Sequence, residues 1–71
     1  MFIIVRKWEI SENTTSISYD EFEDVMKALE RDFKESDSYR MTSKNGKLVG
    51  WYDHNRAGMV EFEVSEVIRE L

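Results

Sequence analysis

The chain has 71 residues, no cysteine and one histidine, and its formal net charge is −5. The lack of cysteine excludes disulfide bonds and thiolate metal sites, and a single histidine argues against structural zinc. We expect one domain, residues 1–71, whose acidity disfavours nucleic acid and favours basic protein surfaces.

The first predicted element is a strand over residues 2–10. Residues 2–5 form the continuous apolar run Phe-Ile-Ile-Val, which is typical of a strand covered on both faces. Residues 11–16 are polar and are predicted to form a turn. In an alternative interpretation, residues 14–17 form a short hairpin partner for residues 7–10.

The apolar start of the chain predicts no membrane segment. Residues 1–5 are too few for the apolar core of a signal peptide, and Arg6 and Lys7 follow at once. No stretch approaches the about 20 apolar residues that span a bilayer. We therefore expect a cytoplasmic protein.

A helix is predicted from Tyr19 to Lys34. Ser18 and Glu21 have the spacing of a capping box, and Ile17 and Phe22 have the spacing of a hydrophobic staple. The apolar residues then recur at helical spacing on one stripe, which is the expected core face: Phe22, Val25, Met26, Leu29 and Phe33.

Three strands are predicted after the helix: residues 39–43, 48–53 and 59–64. Asn45-Gly46 indicates a tight hairpin turn, and Gly50 indicates a bulge or a close approach. Residues 66–71 are predicted to form a short C-terminal helix. The expected class is α+β, with the order β-α-β-β-β and one amphipathic helix packed on a mostly antiparallel sheet. The sequence leaves the strand order open.

The net charge lies in the predicted helix region. Residues 20–37 hold eight carboxylates and three basic residues, and the rest of the chain is neutral. On a helical wheel four carboxylates lie along one edge with only Ala28 between them: Glu21, Asp24, Asp32 and Glu35. The edge either serves solubility or mimics a short run of phosphates for a basic partner. The segment after the helix lacks a calcium-loop pattern, and we expect no metal or cofactor.

The neighbours Trp51 and Tyr52 lie on one predicted strand and therefore point to opposite faces of the sheet. One of them should pack in the core, and the other is a candidate interface residue, since aromatic residues are enriched at binding hot spots. Cover for the second face could come from the predicted terminal helix or from a second copy of the chain. A homodimer is therefore expected.

The sequence offers little for catalysis or for nucleic-acid binding. Asp53 and His54 are adjacent on a strand and point apart, and the chain has no nucleophile, phosphate-loop or metalloprotease motif. We therefore expect that it is not an enzyme. Arg40 beside Trp51 or Tyr52, and Arg6 beside Trp8, approximate a platform for stacking single-stranded nucleic acid, but the acidic charge opposes it.

In size, acidity and lack of cysteine the chain is similar to phage-encoded inhibitors, such as anti-CRISPR and anti-restriction proteins, although no motif supports the resemblance. It implies a small acidic module that occludes a basic, nucleic-acid-binding surface of a partner protein. The expected contacts are the four carboxylates of the edge together with Trp51 and Tyr52. The alternative is a homo-oligomeric regulatory or structural domain without an inhibitory role.

Overall fold

The computed structural model describes residues 1–67, and within them five strands and one helix follow one another along the chain. They are β1 (Phe2–Trp8), β2 (Thr14–Tyr19), α1 (Phe22–Lys34), β3 (Ser36–Lys44), β4 (Lys47–His54) and β5 (Gly58–Glu66). The strands form one antiparallel sheet in the order β2-β1-β5-β4-β3, and α1 packs on one of its faces. The predicted α+β class is confirmed. The predicted order of elements is wrong in one respect, because two strands, and not one, precede the helix.

That additional strand is β2. Residues 11–16 were predicted to form a turn, which is wrong from Thr14 onward, because β2 pairs with β1 from Lys7↔Thr14 to Phe2↔Tyr19. The alternative interpretation is correct that this segment forms a hairpin with the first strand. It is wrong about the pairing partner, which is residues 2–7 and not residues 7–10. Three of the six β2 residues are β-branched, which favours a strand over a turn.

The start of α1 differs from the prediction for the same reason. Ser18 and Tyr19 belong to β2, so the predicted capping box is wrong and Glu21 takes the N-cap position. The Glu21 side chain makes no capping hydrogen bond within the described part of the chain. The predicted helix end at Lys34 is confirmed.

The predicted staple is also wrong. Ile17 pairs with Ile4 in the β1–β2 ladder and is 46% exposed. The Phe22 ring instead packs edge-on against Phe2, with ring centroids 5.4 Å apart. The first turn of α1 is therefore anchored to the start of β1.

The β3–β4 turn and the alternation in β5 agree with the sequence prediction. Asn45 and Gly46 have positive φ values of 53° and 77°, the backbone required by a tight type I′ turn. In β5 the residues Val60, Phe62 and Val64 are buried, and Glu61 between them is exposed.

The prediction that a C-terminal helix begins at Glu66 is wrong. Glu66 still belongs to β5 and pairs with Phe2. The Val67 backbone N–H donates to the Met1 carbonyl oxygen at 2.8 Å, which extends the contact between β1 and β5. Residues 68–71 of that predicted helix lie outside the described residues.

The core lies between α1 and the sheet. Its buried apolar residues are Ile4, Val25, Ala28, Leu29, Tyr52, Val60, Phe62 and Val64. In α1 the buried stripe is centred on Val25, Ala28 and Leu29, and Phe22 at the edge of the predicted stripe is 44% exposed. The helix is therefore rotated toward the edge that the sequence assigned to carboxylates.

Candidate functional site

The acidic edge predicted on α1 is not a continuous exposed surface. Ala28, in its middle, is 7% exposed, and the Asp32 side chain is 15% exposed. Glu21 and Asp24 are exposed at the N-terminal end of the helix, and Glu35 is exposed at the other end. The expectation that Asp32 faces solvent is wrong, because the rotated helix points it toward the sheet.

Asp32 binds a buried arginine of β1. Its Oδ2 atom accepts hydrogen bonds from Arg6 Nε at 3.2 Å and Arg6 Nη2 at 2.8 Å, and the Tyr52 hydroxyl lies 3.3 Å from the same oxygen. Arg6 is 4% exposed. Within residues 1–67, every buried side-chain nitrogen and oxygen has a hydrogen-bond partner. The buried polar atoms of Arg6, Asp32 and Tyr52 therefore all have hydrogen-bond partners within the protein.

Burial and charge shift the pKa values of this cluster. Burial lowers the pKa of the Arg6 guanidinium, but the charges and hydrogen bonds of Asp32 and Tyr52 together outweigh that effect, and the pKa is raised. Burial and the Asp32 charge raise the pKa of Tyr52 to about 12. At neutral pH both groups are protonated, so Arg6 is a fixed positive charge held by Asp32. This arrangement joins the helix to the sheet and presents no reactive group.

Sequence reasoning missed the role of Arg6. Its alternation with Ile4 on β1 places both side chains on the face that packs against α1. A basic residue on that face needs a buried partner of opposite charge, and such a partner is available only from an element that covers the face. That signal could have identified a carboxylate of the helix as an inward-facing residue.

The carboxylates that remain exposed concentrate at the start of α1. We call Asp20, Glu21, Glu23 and Asp24 the acidic end, since all four are exposed. Phe22 lies among them and is itself 44% exposed. Glu23 forms an i,i+4 ion pair with Lys27, with 3.4 Å between Oε1 and Nζ. The acidic end thus flanks, along the chain, a partly exposed aromatic residue whose ring packs against Phe2.

Glu35 lies in a different environment at the opposite end of α1. Its Oε2 atom is 3.4 Å from His54 Nε2. His54 Nδ1 accepts hydrogen bonds from the backbone N–H groups of Arg56 and Ala57, both at 3.2 Å. These bonds connect His54, the last residue of β4, to the β4–β5 turn. Glu35 is separated from the acidic end by the length of α1.

Trp51 and Tyr52 lie on opposite faces of the sheet, as predicted. Tyr52 is 1% exposed and packs in the core, so it is not a surface contact. Trp51 is half-buried on the face without α1, directly between Arg40 of β3 and Glu61 of β5 in the pairing register. It lines a shallow concavity of about 540 Å³ on that face.

The predicted binding residues therefore do not come together. Trp51 is on the face away from α1, whereas the acidic end lies on the helix side. The predicted stacking platform is divided in the same way, because Arg40 and Trp51 lie on the face away from α1, whereas Arg6 and Trp8 lie on the helix side. Arg6 is buried beneath α1, and the Trp8 ring Nε1 donates to Thr15 Oγ1 at 3.1 Å. Glu21 and Asp24 are the members of the predicted set that share one exposed surface.

The described residues contain no cluster of three or more histidine or carboxylate side chains with metal-binding geometry. Among them, no helix is long and apolar enough to cross a membrane. No protein-family model, curated protein or solved structure matches this chain.

Proposed function

We propose that this protein binds a basic surface of another protein through the acidic end of α1, and that it thereby blocks nucleic acid from that surface. The observation that carries the proposal is the exposed Phe22 at the start of α1, which is flanked in sequence by four exposed carboxylates: Asp20, Glu21, Glu23 and Asp24. An aromatic anchor within a charged rim is a common arrangement at protein interfaces.

The distribution of charge supports the same surface. Residues 8–26 hold six carboxylates and no basic residue. Beyond them, carboxylates are interspersed with lysine and arginine, as in the ion pair Glu63–Lys47. Four of these six carboxylates form the acidic end and set the negative field there, whereas the other two, Glu9 and Glu12, lie in the β1–β2 turn at the opposite end of β2. Such a field steers a basic partner and mainly sets the association rate.

The test compares two variants of equal net charge. Glu21→Gln with Asp24→Asn removes two charges from the acidic end, and Glu30→Gln with Asp37→Asn removes two exposed charges elsewhere. Each is immobilised, and proteins retained from an extract of the native host are identified and released with increasing salt. We expect the first variant to lose nucleic-acid-binding proteins that wild type and the second variant retain.

The retained partner is then assayed for nucleic-acid binding with and without added protein. Wild type should compete with the nucleic acid, and the effect should weaken toward the salt concentration at which the Debye length is about 3 Å. Equal losses from both variants would reduce the effect to net charge. No loss from the acidic-end variant would remove this surface from the function.

A further inference from the structure

The two edge strands of the sheet, β2 and β3, differ in how they are protected against pairing with another chain. β3 includes three charged residues, Asp37, Arg40 and Lys44, and its pairing with β4 shifts register between Ser36 and Tyr39. Charged side chains and bulges are the usual means by which edge strands avoid pairing with another chain. β2 has neither: its sequence Thr-Thr-Ser-Ile-Ser-Tyr has no charge, no proline and no glycine.

The outward-facing backbone groups of β2 follow from the ladder. The Trp8 N–H donates to the Asn13 carbonyl at 2.8 Å, and hydrogen-bonded pairs alternate along an antiparallel ladder. Thr15 and Ile17 therefore bond to β1, whereas the N–H and C=O groups of Thr14, Ser16 and Ser18 point away from the sheet. No other described strand pairs with this edge.

The charges at the two ends of β2 indicate what would bind there. Glu9 and Glu12 lie in the turn before the strand, and Asp20 and Glu21 follow it, and all four are exposed. The edge is thus an uncharged row of hydrogen-bonding groups with carboxylates at both ends. A complementary strand would be uncharged in its centre and basic at both ends.

A second copy of the chain fits this edge poorly. If β2 paired antiparallel with its own copy through its outward-facing groups, with Thr14 opposite Ser18, the flanking residues Glu12 and Asp20 of the two chains would be directly opposed. Like charges opposed in this way are destabilising. The acidic flanks therefore select against self-pairing and in favour of a basic segment.

We propose that β2 binds an extended segment of a partner protein as an added strand, and that this segment has an uncharged, β-branched centre with lysine or arginine at both ends. The proposal rests on the proposed function, since the acidic end supplies the contacts for one basic end of the segment. Backbone pairing would give affinity, and the flanking charges would give specificity and register.

The probe is a synthetic peptide with the centre Thr-Val-Thr-Val-Thr-Val and two lysines at each end. A matched peptide has proline in place of the central threonine, which keeps the charge but removes a backbone donor. We expect the first peptide to bind at least about tenfold more tightly, the change that the loss of one good hydrogen bond produces. Binding is measured by titration calorimetry at low salt.

Amide hydrogen exchange of the complex locates the contact on the wild-type protein and needs no variant that could misfold. The peptide should slow exchange at Ser16 and Ser18, and also at Thr14, while Thr15 and Ile17 change little because they already bond to β1. A second measurement uses Ser16→Pro, which removes an outward donor, and Ser16→Ala as its control. We expect Ser16→Pro to abolish peptide binding and Ser16→Ala to leave it unchanged.

Three results would overturn strand addition. If both peptides bind equally and no β2 amide is protected, attraction by charge alone remains, and the proposed function stands without β2. If neither peptide binds, the edge does not accept this strand, and the host-extract test decides the proposed function separately. If the same amides become protected without peptide as protein concentration rises, and sedimentation shows a dimer, the occupant is a second copy.

Discussion

Arg6 of β1 and Asp32 of α1 form a buried ion pair in which two guanidinium nitrogens share one carboxylate oxygen, at 3.2 and 2.8 Å. The pair joins the last turns of the helix to the strand next to the centre of the sheet. Its two partners lie 26 residues apart in the chain. It therefore fixes how the helix is rotated on the sheet, and so which carboxylates reach solvent.

Removing one partner of this pair should be far more damaging than removing an exposed carboxylate. We expect Asp32→Ala to cost about 3–5 kcal/mol, because it leaves the Arg6 charge buried and unpaired. The control Asp24→Ala, on the exposed start of the same helix, should cost about 0.3–1 kcal/mol through the helix dipole. Urea unfolding followed by tryptophan fluorescence measures both, and equal costs would contradict the pairing.

Replacing both partners tests whether the ion pair adds to the stability of the fold or only avoids the cost of an unpaired buried charge. The double variant Arg6→Met with Asp32→Leu should be more stable than Asp32→Ala, because apolar side chains of similar size remove the buried charge. A double variant as unstable as Asp32→Ala would show that packing around the pair, rather than the unpaired charge, sets the cost. The comparison uses the same unfolding measurement.

Leu29 and Ser18 distinguish the observed helix from the one predicted by the capping pattern. Leu29 is fully buried, and Leu29→Ala should cost about 2–5 kcal/mol through the cavity that it leaves. Ser18 is an exposed residue of β2, so Ser18→Ala should change stability by less than about 0.5 kcal/mol. A cost near 1 kcal/mol at Ser18 would instead be the mark of a lost N-cap.

Gly50 and Gly46 are constrained in different ways, Gly50 by a close approach and Gly46 by its backbone conformation. A Cβ atom at Gly50 would overlap the Arg40 carbonyl oxygen and would approach Phe62 Cζ to 2.7 Å. Gly50→Ala should therefore cost about 1–3 kcal/mol through overpacking.

At Gly46 a Cβ would meet no atom within 4 Å, but φ is +77°. Gly46→Asn should be tolerated there, since asparagine adopts this backbone region readily. If Gly46→Asn were as destabilising as Gly50→Ala in thermal unfolding, the turn assignment would be wrong.

The raised pKa of Tyr52 predicts a loss of stability in alkali. Its pKa is about 12 in the folded protein and 10.0 ordinarily, so the unfolded chain releases the phenolic proton first. The stabilisation is fully present below pH 10 and is lost as pH rises through 12. We expect the stability advantage of wild type over Tyr52→Phe to shrink over that range, as measured by urea unfolding at successive pH values. A constant difference would contradict the shift.

The sequence predicted the parts of the fold whose signals are local. Asn45-Gly46 defines a turn because both residues tolerate positive φ, and the alternation of Val60, Phe62 and Val64 follows from the pleat of a half-buried strand. Residues 14–19 were harder, because Ser18 and Glu21 offer a helix cap while the β-branched residues before them favour a strand. Pairing with β1 decided between the two, and pairing is a non-local interaction.

The candidate site was only partly predictable for a similar reason. A helical wheel shows that Glu21, Asp24, Asp32 and Glu35 share an edge, but it contains no information about which neighbour that edge meets. Arg6, far away in sequence, turns Asp32 inward. The proposed contacts Glu21 and Asp24 remain exposed because no described residue of the sheet lies opposite them with a buried positive charge.

The position of β5 governs when this protein can fold during synthesis. β5 lies between β1 and β4, although it is the last strand along the described chain. A nascent chain that lacks residues 58–66 can form the β1–β2 and β3–β4 hairpins, but no strand pairs with both of them, and α1 has no complete sheet to cover. Pairing of Phe2 with Glu66 spans almost the whole chain, and such distant contacts slow folding. Assembly of the core can therefore be completed only after β5 has left the ribosome.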